Sequence, residues 1–290
     1  MASKINVFLV GAQKAGTTSL YEWLGQHPDI CAPQEIKDYH FFTNEDIYIK
    51  GVTHLEKFYE GSGAVSLHGA VNYLYFYRKS ARRIYEYNPN AKIIICLREP
   101  VARAVSAYMY CVKTLREERT FTDALNFELN GGPSTFKQLS DNTYIEHGKY
   151  VEQIREFMTR FQRDKIKIVL FEDLMSSSRR EASMRDILCF LGLNEVFEFE
   201  FTHLNNSGSP RSSMVNYILR KGYLAKVARP FLPRSMRKRI AGVLNEINTS
   251  NSKINVDIKD EDIALVRQHL GRVGSDLYNE FGIDVLDSWA

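Results

Sequence analysis

The sequence predicts an α/β fold, a three-layer sandwich in which a central, mostly parallel sheet is flanked by helices. Three observations carry that reading. The short runs Asn6–Val10, Ala91–Leu97 and Ile166–Phe171 hold almost no internal polarity, as strands buried on both faces do. Segments with helical spacing lie between and after them. Strand followed by helix, repeated, needs crossover connections and therefore a parallel sheet.

Taken in order, the first strand leads into a helix over Thr17–Leu24, and the second into a helix over Val101–Val112 with Pro100 at its first turn. The next helix, Tyr150–Phe161, places Tyr150, Ile154, Phe157, Met158 and Phe161 on one face and Glu152, Arg155, Glu156 and Arg160 elsewhere. Ser183–Leu191 is a further helix after the third strand. A last one spans about Asp260 to Phe281, with Ile263, Val266, Leu270, Val273, Leu277 and Phe281 on one stripe, and stops before Gly282. No repeat or low-complexity linker divides the chain, so residues 1–290 read as one domain. The stretch 220–239 and the last helix are packed on it or appended to it. Two loose stretches, Asn130–Asn142 and His203–Ser213, read as lids or mobile segments.

Composition narrows the function. The chain has 290 residues, 44% hydrophobic and 25% charged, as in globular proteins. A formal charge of +3 excludes a surface built to wrap nucleic acid. The four cysteines include no C-x-x-C pair; two lie inside apolar runs and read as core thiols, which suits a reducing compartment. No apolar run approaches the about 20 residues of a membrane helix, and Ile5–Ala12 lacks the features of a targeting segment. The expectation is a soluble, cytoplasmic protein.

The chemistry concentrates at two strand ends. After the first strand comes Gly11-Ala12-Gln13-Lys14-Ala15-Gly16-Thr17-Thr18-Ser19, a P-loop-like turn that aims backbone N–H groups and a helix dipole at an anion. Gly11 and Gly16 have the Walker A gap, yet Thr17 stands where a nucleotide hydrolase has lysine, and the lysine is inside the loop at Lys14. The second strand ends in Arg98, where such a hydrolase shows a magnesium-holding acid. Arg98 and Ser106, two helical turns on, can reach one phosphate. Arg103 is expected to be solvated or salt-bridged, and Tyr108 to be core or lid. The pair of sites points to a nucleotide with two separated phosphate groups and no metal. His27, His54, His68, His147, His203 and His269 show no ligand spacing.

These residues resemble the PAPS-dependent sulfotransferases, in particular the branch of the heparan-sulfate and related carbohydrate enzymes and their bacterial relatives. The family's 5′-phosphosulfate motif K-x-G-T-T/S is matched by Lys14, Gly16, Thr17 and Thr18, with Ala15 between them. Its 3′-phosphate motif R-x-P-x-x-R-x-x-S-x-Y is matched by Arg98, Pro100, Arg103, Ser106 and Tyr108. The likeness extends to Gly148-Lys149-Tyr150, to Glu172-Asp173-Leu174 and to Asn206-Ser207-Gly208-Ser209-Pro210-Arg211, and weakens from about residue 215. It implies transfer of a sulfuryl group from PAPS to a hydroxyl or amine, without metal. Lys14 would face the leaving oxygen, and Arg98 and Ser106 the 3′-phosphate. Arg211 would close over the cofactor or stand as a surface arginine.

The base is open among three residues. The family's K-E-x-x-F-F motif aligns with Lys37-Asp38-Tyr39-His40-Phe41-Phe42, so Asp38 stands where the resemblance implies glutamate. Glu35 is the competing carboxylate, and His40 has a near-neutral reference pKa. Phe41 and Phe42 read as core. Asn72 stands in a segment that departs from the family pattern and reads either as a group placing the acceptor or base, or as a buried structural amide. Arg220, Lys221, Lys226, Arg229, Arg234, Arg237, Lys238 and Arg239 form a basic stretch with no acid, interleaved with Tyr223, Leu224 and Phe231. Such a stretch is a solvated face, or contacts an anionic membrane surface or glycan. The expected acceptor is a carbohydrate or glycolipid. A kinase-like phosphotransferase and an inactive nucleotide-binding scaffold are the alternatives.

Overall fold

The computed structural model describes residues 4–59, 63–201, 209–210, 249–250 and 257–289. Its centre is a five-stranded sheet of order β2-β3-β1-β4-β5 in which every pairing is parallel. The strands are β1 (Val7–Gly11), β2 (Ile30–Cys31), β3 (Val65–Gly69), β4 (Lys92–Leu97) and β5 (Ile166–Leu170). Helices flank the sheet, as the sequence predicts. Every residue of β1 and β3 is buried, whereas the edge strand β5 is only partly covered. Around Phe8 of β1, the rings of Phe42, His68 and Tyr87 meet edge to face at 5.5, 6.2 and 6.2 Å, a favoured aromatic geometry. Phe41 and Phe42 are fully buried, as expected of core residues.

The strand order places a topological switch at β1. The chain leaves β1 towards β2 and β3 on one side, while β4 and β5 lie on the other. Open α/β sheets form their ligand crevice beyond the strand ends at such a point. Lys14 and Arg98 follow the two central strands, so the topology alone brings them to one crevice.

Several predicted elements change. The Tyr150–Phe161 helix ends at Met158, although Phe161 remains buried. The single last helix is two, Asp260–Leu270 and Val273–Phe281, divided at Gly271-Arg272, glycine being a poor helix former. The stretch Asn130–Asn142, read as loose, contains a helix over Phe136–Asp141. It starts with a capping box in which the Thr135 hydroxyl meets the Gln138 N–H and the Gln138 side chain meets the Thr135 N–H. Strand β3 and the helix Tyr77–Tyr87 are additions. Arg211, the basic stretch 220–239 and almost all of the loop 203–213 lie outside the described residues. Among the described residues, no helix is long and apolar enough to cross a membrane. Cys96 and Cys111 are buried, and all four cysteines are free thiols.

Two core histidines tie stability to pH. His68 sits between the Tyr59 and Tyr73 hydroxyls, at 3.1 and 2.9 Å. His147 stacks on Tyr75 with ring centroids 3.9 Å apart. Burial pushes each imidazole from 6.5 down to about 3. Both are therefore neutral in the native protein, while the unfolded chain takes up their protons below about pH 6.5. Their contribution is fully present above that pH and is lost as pH falls towards 3. Urea unfolding should show stability falling between about pH 6.5 and about pH 4, each histidine adding a slope of up to about 1.4 kcal/mol per pH unit. A urea midpoint that stays constant across that range would contradict the burial of these two groups.

Candidate active site

The loop after β1 owes its shape to two glycines. Gly11 has φ 146°, and a Cβ there would stand 2.8 Å from the Leu74 Cβ and 2.9 Å from the Val71 carbonyl oxygen. Gly16 has φ 77° and is the N-cap of the Thr17–Leu24 helix, with no side chain capping it. The first amide bonded within the helix is Leu20 N–H to the Gly16 carbonyl. The amides of Thr17, Thr18 and Ser19 precede it and belong to the orphan donors of a helix start, at its positive dipole end. Lys14 also has positive φ, at 67°, so two of the three residues Lys14, Ala15 and Gly16 take the positive φ found in anion-binding nests.

The Lys14 ammonium lies 4.2 Å from the centre of the Tyr110 ring. Burial first, then the Arg98 charge, lowers its pKa from 10.5 to about 8. Arg98 donates from Nη1 to the Lys14 carbonyl at 3.2 Å, and its guanidinium covers the Phe171 ring at 4.4 Å. The Tyr150 hydroxyl donates to the Arg98 carbonyl at 2.9 Å.

The turn after Arg98 is capped on both sides. The Glu99 carboxylate accepts from the Val101 and Ala102 amides at 3.0 and 2.6 Å, and Pro100 occupies the first turn of the helix Pro100–Lys113. Glu99 N–H donates to Glu172 Oε1 at 3.1 Å, and Trp289 Nε1 donates to the other oxygen of that carboxylate at 3.2 Å. On the helix, Ser106 faces the cleft. Arg103 is not solvated or salt-bridged as expected; it is fully buried and donates to the Tyr144 carbonyl. The helix that carries it packs against the turn Glu146–Gly148 and the helix Asp260–Leu270. Tyr108 is core, 3% exposed, and its hydroxyl donates to the Arg119 carbonyl.

The candidate bases separate in space. Asp38, with φ 63°, accepts on Oδ1 from Lys37 Nζ at 2.9 Å and from the Val71 amide at 3.0 Å. His40 is half-buried beside it, and burial pushes its imidazole below the ordinary value against the opposing pull of Asp38. Both line the cleft. Glu35 is exposed on the turn Gln34–Ile36 and does not line it. Asn72 is buried and also lines it, its amide 3.4 Å from the Ser140 hydroxyl.

One cleft of about 640 Å³ collects Lys14, Gly16, Thr17, Thr18, Arg98, Ser106, Asp38 and His40. Ala15 is buried beneath it. Residues the sequence reading missed complete the walls: Gln13, Tyr110, Arg116, Ser140, Asp141, Phe171 and Met175. Arg116 and Asp141 pair at 2.8 Å, and Gln13 Nε2 donates to the Ser140 carbonyl at 3.0 Å. A signal for Tyr110 was present, since it follows Ser106 by one helical turn. Another was the Thr135 to Gln138 spacing that opens the helix carrying Ser140 and Asp141. Among the described residues, no group of His, Cys, Asp and Glu is arranged to hold a metal ion.

A model of the family described as "Sulfotransferase domain" matches residues 4–236. Among curated proteins, heparan sulfate glucosamine 3-O-sulfotransferase 5 of Mus musculus is 29% identical over 164 residues, 56% of this chain and 46% of that protein. Heparan sulfate glucosamine 3-O-sulfotransferase 6 of Homo sapiens is 27% identical over 199 residues, 68% of this chain and 55% of that protein. The chain spans about half the length of these relatives. A solved sulfotransferase from Alicyclobacillus acidocaldarius superposes with a TM-score of 0.69 at 24% identity, over 99% of each chain, and shares the fold.

The cradle depends on Gly16, where a Cβ would come within 3.0 Å of the Phe171 ring at a backbone angle that side chains rarely adopt. Gly16→Ala should weaken binding of adenosine 3′,5′-bisphosphate by about tenfold or more while the circular dichroism spectrum is kept. Calorimetric titration checks this, and equal affinity would show that the loop does not hold the anion.

Proposed function

As the chain belongs to the sulfotransferase family and is related to its heparan-sulfate branch, we propose that it moves a sulfuryl group from PAPS to a hydroxyl of a carbohydrate or glycolipid acceptor. The observation that carries this reading is the cleft itself. Lys14 and Arg98 stand at its base on neighbouring strand ends, and the Asp38 carboxylate lies in the same wall. The glycine-bounded cradle, where a Cβ on Gly16 would intrude, fits a phosphosulfate, and Arg98 with Ser106 fits a second phosphate.

PAPS, when bound, supplies an activated sulfuryl group on a nucleotide leaving group. The amides of Thr17 to Ser19 and the Lys14 ammonium offset the negative charge that grows on the leaving side. Arg98 and Ser106 hold the 3′-phosphate, and Phe171 with Met175 offers an apolar wall to the base. Asp38 takes the proton of the acceptor hydroxyl. Its Oδ1 is fixed by Lys37 and the Val71 amide, which leaves Oδ2 for that proton. His40, whose imidazole burial pushes below its ordinary value, is the second proton acceptor on the cleft wall. An acid at the end of β4 would favour a phosphotransferase, and Arg98 occupies that place.

The acceptor side supports a polyol. Of the residues that line the cleft, Gln13, Asp38, His40, Asn72, Ser140, Asp141 and Arg116 are polar and stand outside the two anion motifs. Sugar hydroxyls can pair with such donors and acceptors, whereas a flat aromatic alcohol would leave them unpaired. The basic stretch Arg220–Arg239, read from the sequence, would attract an anionic glycan or membrane surface.

Two experiments test this reading. Transfer of labelled sulfate from PAPS to a panel of glycans should fall about a hundredfold or more in kcat with Asp38→Asn and with Lys14→Ala. Glu35→Gln should stay within about twofold. A preference for ATP with magnesium over adenosine 3′,5′-bisphosphate would overturn the assignment. Reversing Arg237, Lys238 and Arg239 to glutamate should weaken sedimentation with anionic liposomes or retention on heparin without changing bisphosphate binding; unchanged association removes the role given to that stretch.

A further inference from the structure

Burial and the neighbouring cations disfavour the charged form of Lys14. The charged and titratable groups that face it are Arg98 at the end of β4, Cys111 and Lys113 on the helix Pro100–Lys113, and Arg116 just beyond that helix. The three cations repel it. Cys111 offers no anion, since burial pushes its thiol up to about 12. No ion pair joins Lys14 to a carboxylate among the described residues, while Arg116 is committed to Asp141 at 2.8 Å. The favourable contact left to the ammonium is the Tyr110 ring, at 4.2 Å from its centre. Arg116 approaches the same ring at 5.4 Å. Tyr110 follows Ser106 by four residues, so one helix face presents both to the cleft.

We propose that Tyr110 is the positioning residue of the donor site, its ring face holding the Lys14 ammonium over the cleft in the charged form until the donor's anionic groups take it over. The proposal rests on the sulfotransferase reading for the identity of the donor; the ring contact stands without it. An aromatic ring suits this task better than a carboxylate. Its quadrupole attracts a cation, yet it carries no net charge that would repel an incoming dianion or neutralise the lysine. The contact matters because the Lys14 pKa is already lowered to about 8, so a modest further loss of support leaves a larger share of it uncharged.

The test follows the pH dependence of Lys14 acetylation by acetic anhydride, read by mass spectrometry. It compares the unmodified sequence with Tyr110→Phe, Tyr110→Leu and Tyr110→Gln, the last serving if the leucine variant does not fold. Phenylalanine should keep the titration, and leucine and glutamine should move it down by about half a unit to one unit. Affinity for adenosine 3′,5′-bisphosphate should then fall about two- to fivefold in those two variants at about pH 8, and less at about pH 6.5, where the lysine is mostly protonated in every variant. Coincident titrations in all the variants overturn the proposal, and so does a shift with Tyr110→Phe as large as with Tyr110→Leu. Absence of bisphosphate binding by the unmodified protein would instead defeat the sulfotransferase reading, and the acetylation series would still decide the role of Tyr110.

Discussion

The parallel pairing of β1 with β4 is the constraint on which the rest of the structure depends. It joins the anion loop and the arginine turn into one object. The Ala12 amide donates to the Cys96 carbonyl at 2.6 Å, and Arg98 reaches back to the Lys14 carbonyl. Two cations are thereby held close together in a partly dry crevice, an arrangement that disfavours both charges. Each feels it, since burial depresses Lys14 and Arg98 alike. Helix ends, caps and aromatic faces around the crevice make this arrangement tolerable without neutralising it. An anionic ligand relieves the repulsion directly, which is why perturbed groups of this kind mark functional sites.

Around that pair, the protein uses carboxylates sparingly and at a remove. Glu99 is spent on two amides of its own helix, and Glu172 on the Glu99 amide and the Trp289 indole. Neither forms an ion pair with Arg98 among the described residues. Asp141 does pair, but with Arg116. The base end of the cleft is built on the opposite principle: Asp38 is held by a lysine and a backbone amide, beside an imidazole whose protonation burial disfavours. The cleft thus separates a region that favours anions from one that can take a proton.

Much of this was legible in the sequence because the chemistry demands specific residue types at fixed spacing. Gly11, Lys14, Gly16, Arg98 and Ser106 occupy positions where few substitutes work, and the apolar runs of β1 and β4 leave little choice of element. Strand β3 was hidden because Ser66 and His68 interrupt its apolar pattern, although both are buried and the His68 imidazole is held between the Tyr59 and Tyr73 hydroxyls. The helix Tyr77–Tyr87 was hidden for a related reason, since its buried face is made of Ser80, Ala81, Arg83, Ile84 and Tyr87. Arg103 shows the limit of reading charge as exposure: its long side chain ends on a backbone carbonyl in the core. Asp38 and Glu35 could not be told apart from spacing, because only the turn at Asp38, closed by its amide on the Gly69 carbonyl, decides which carboxylate faces inward.

The hydrogen bond from Trp289 to Glu172 spans 117 positions of sequence. It ties the segment after the last long helix to the turn that presents Arg98. During synthesis the anion loop, the arginine and the base emerge early, yet the turn supporting the arginine is completed only when residue 289 has left the ribosome. Until then Glu172 lacks one of its two partners and the helix pair over Tyr150 is absent. A nascent chain would therefore expose a half-built crevice of unpaired cations, and pairing of such distant segments is slow. Support of the arginine turn is in this sense completed late, by a segment 117 positions away in the sequence.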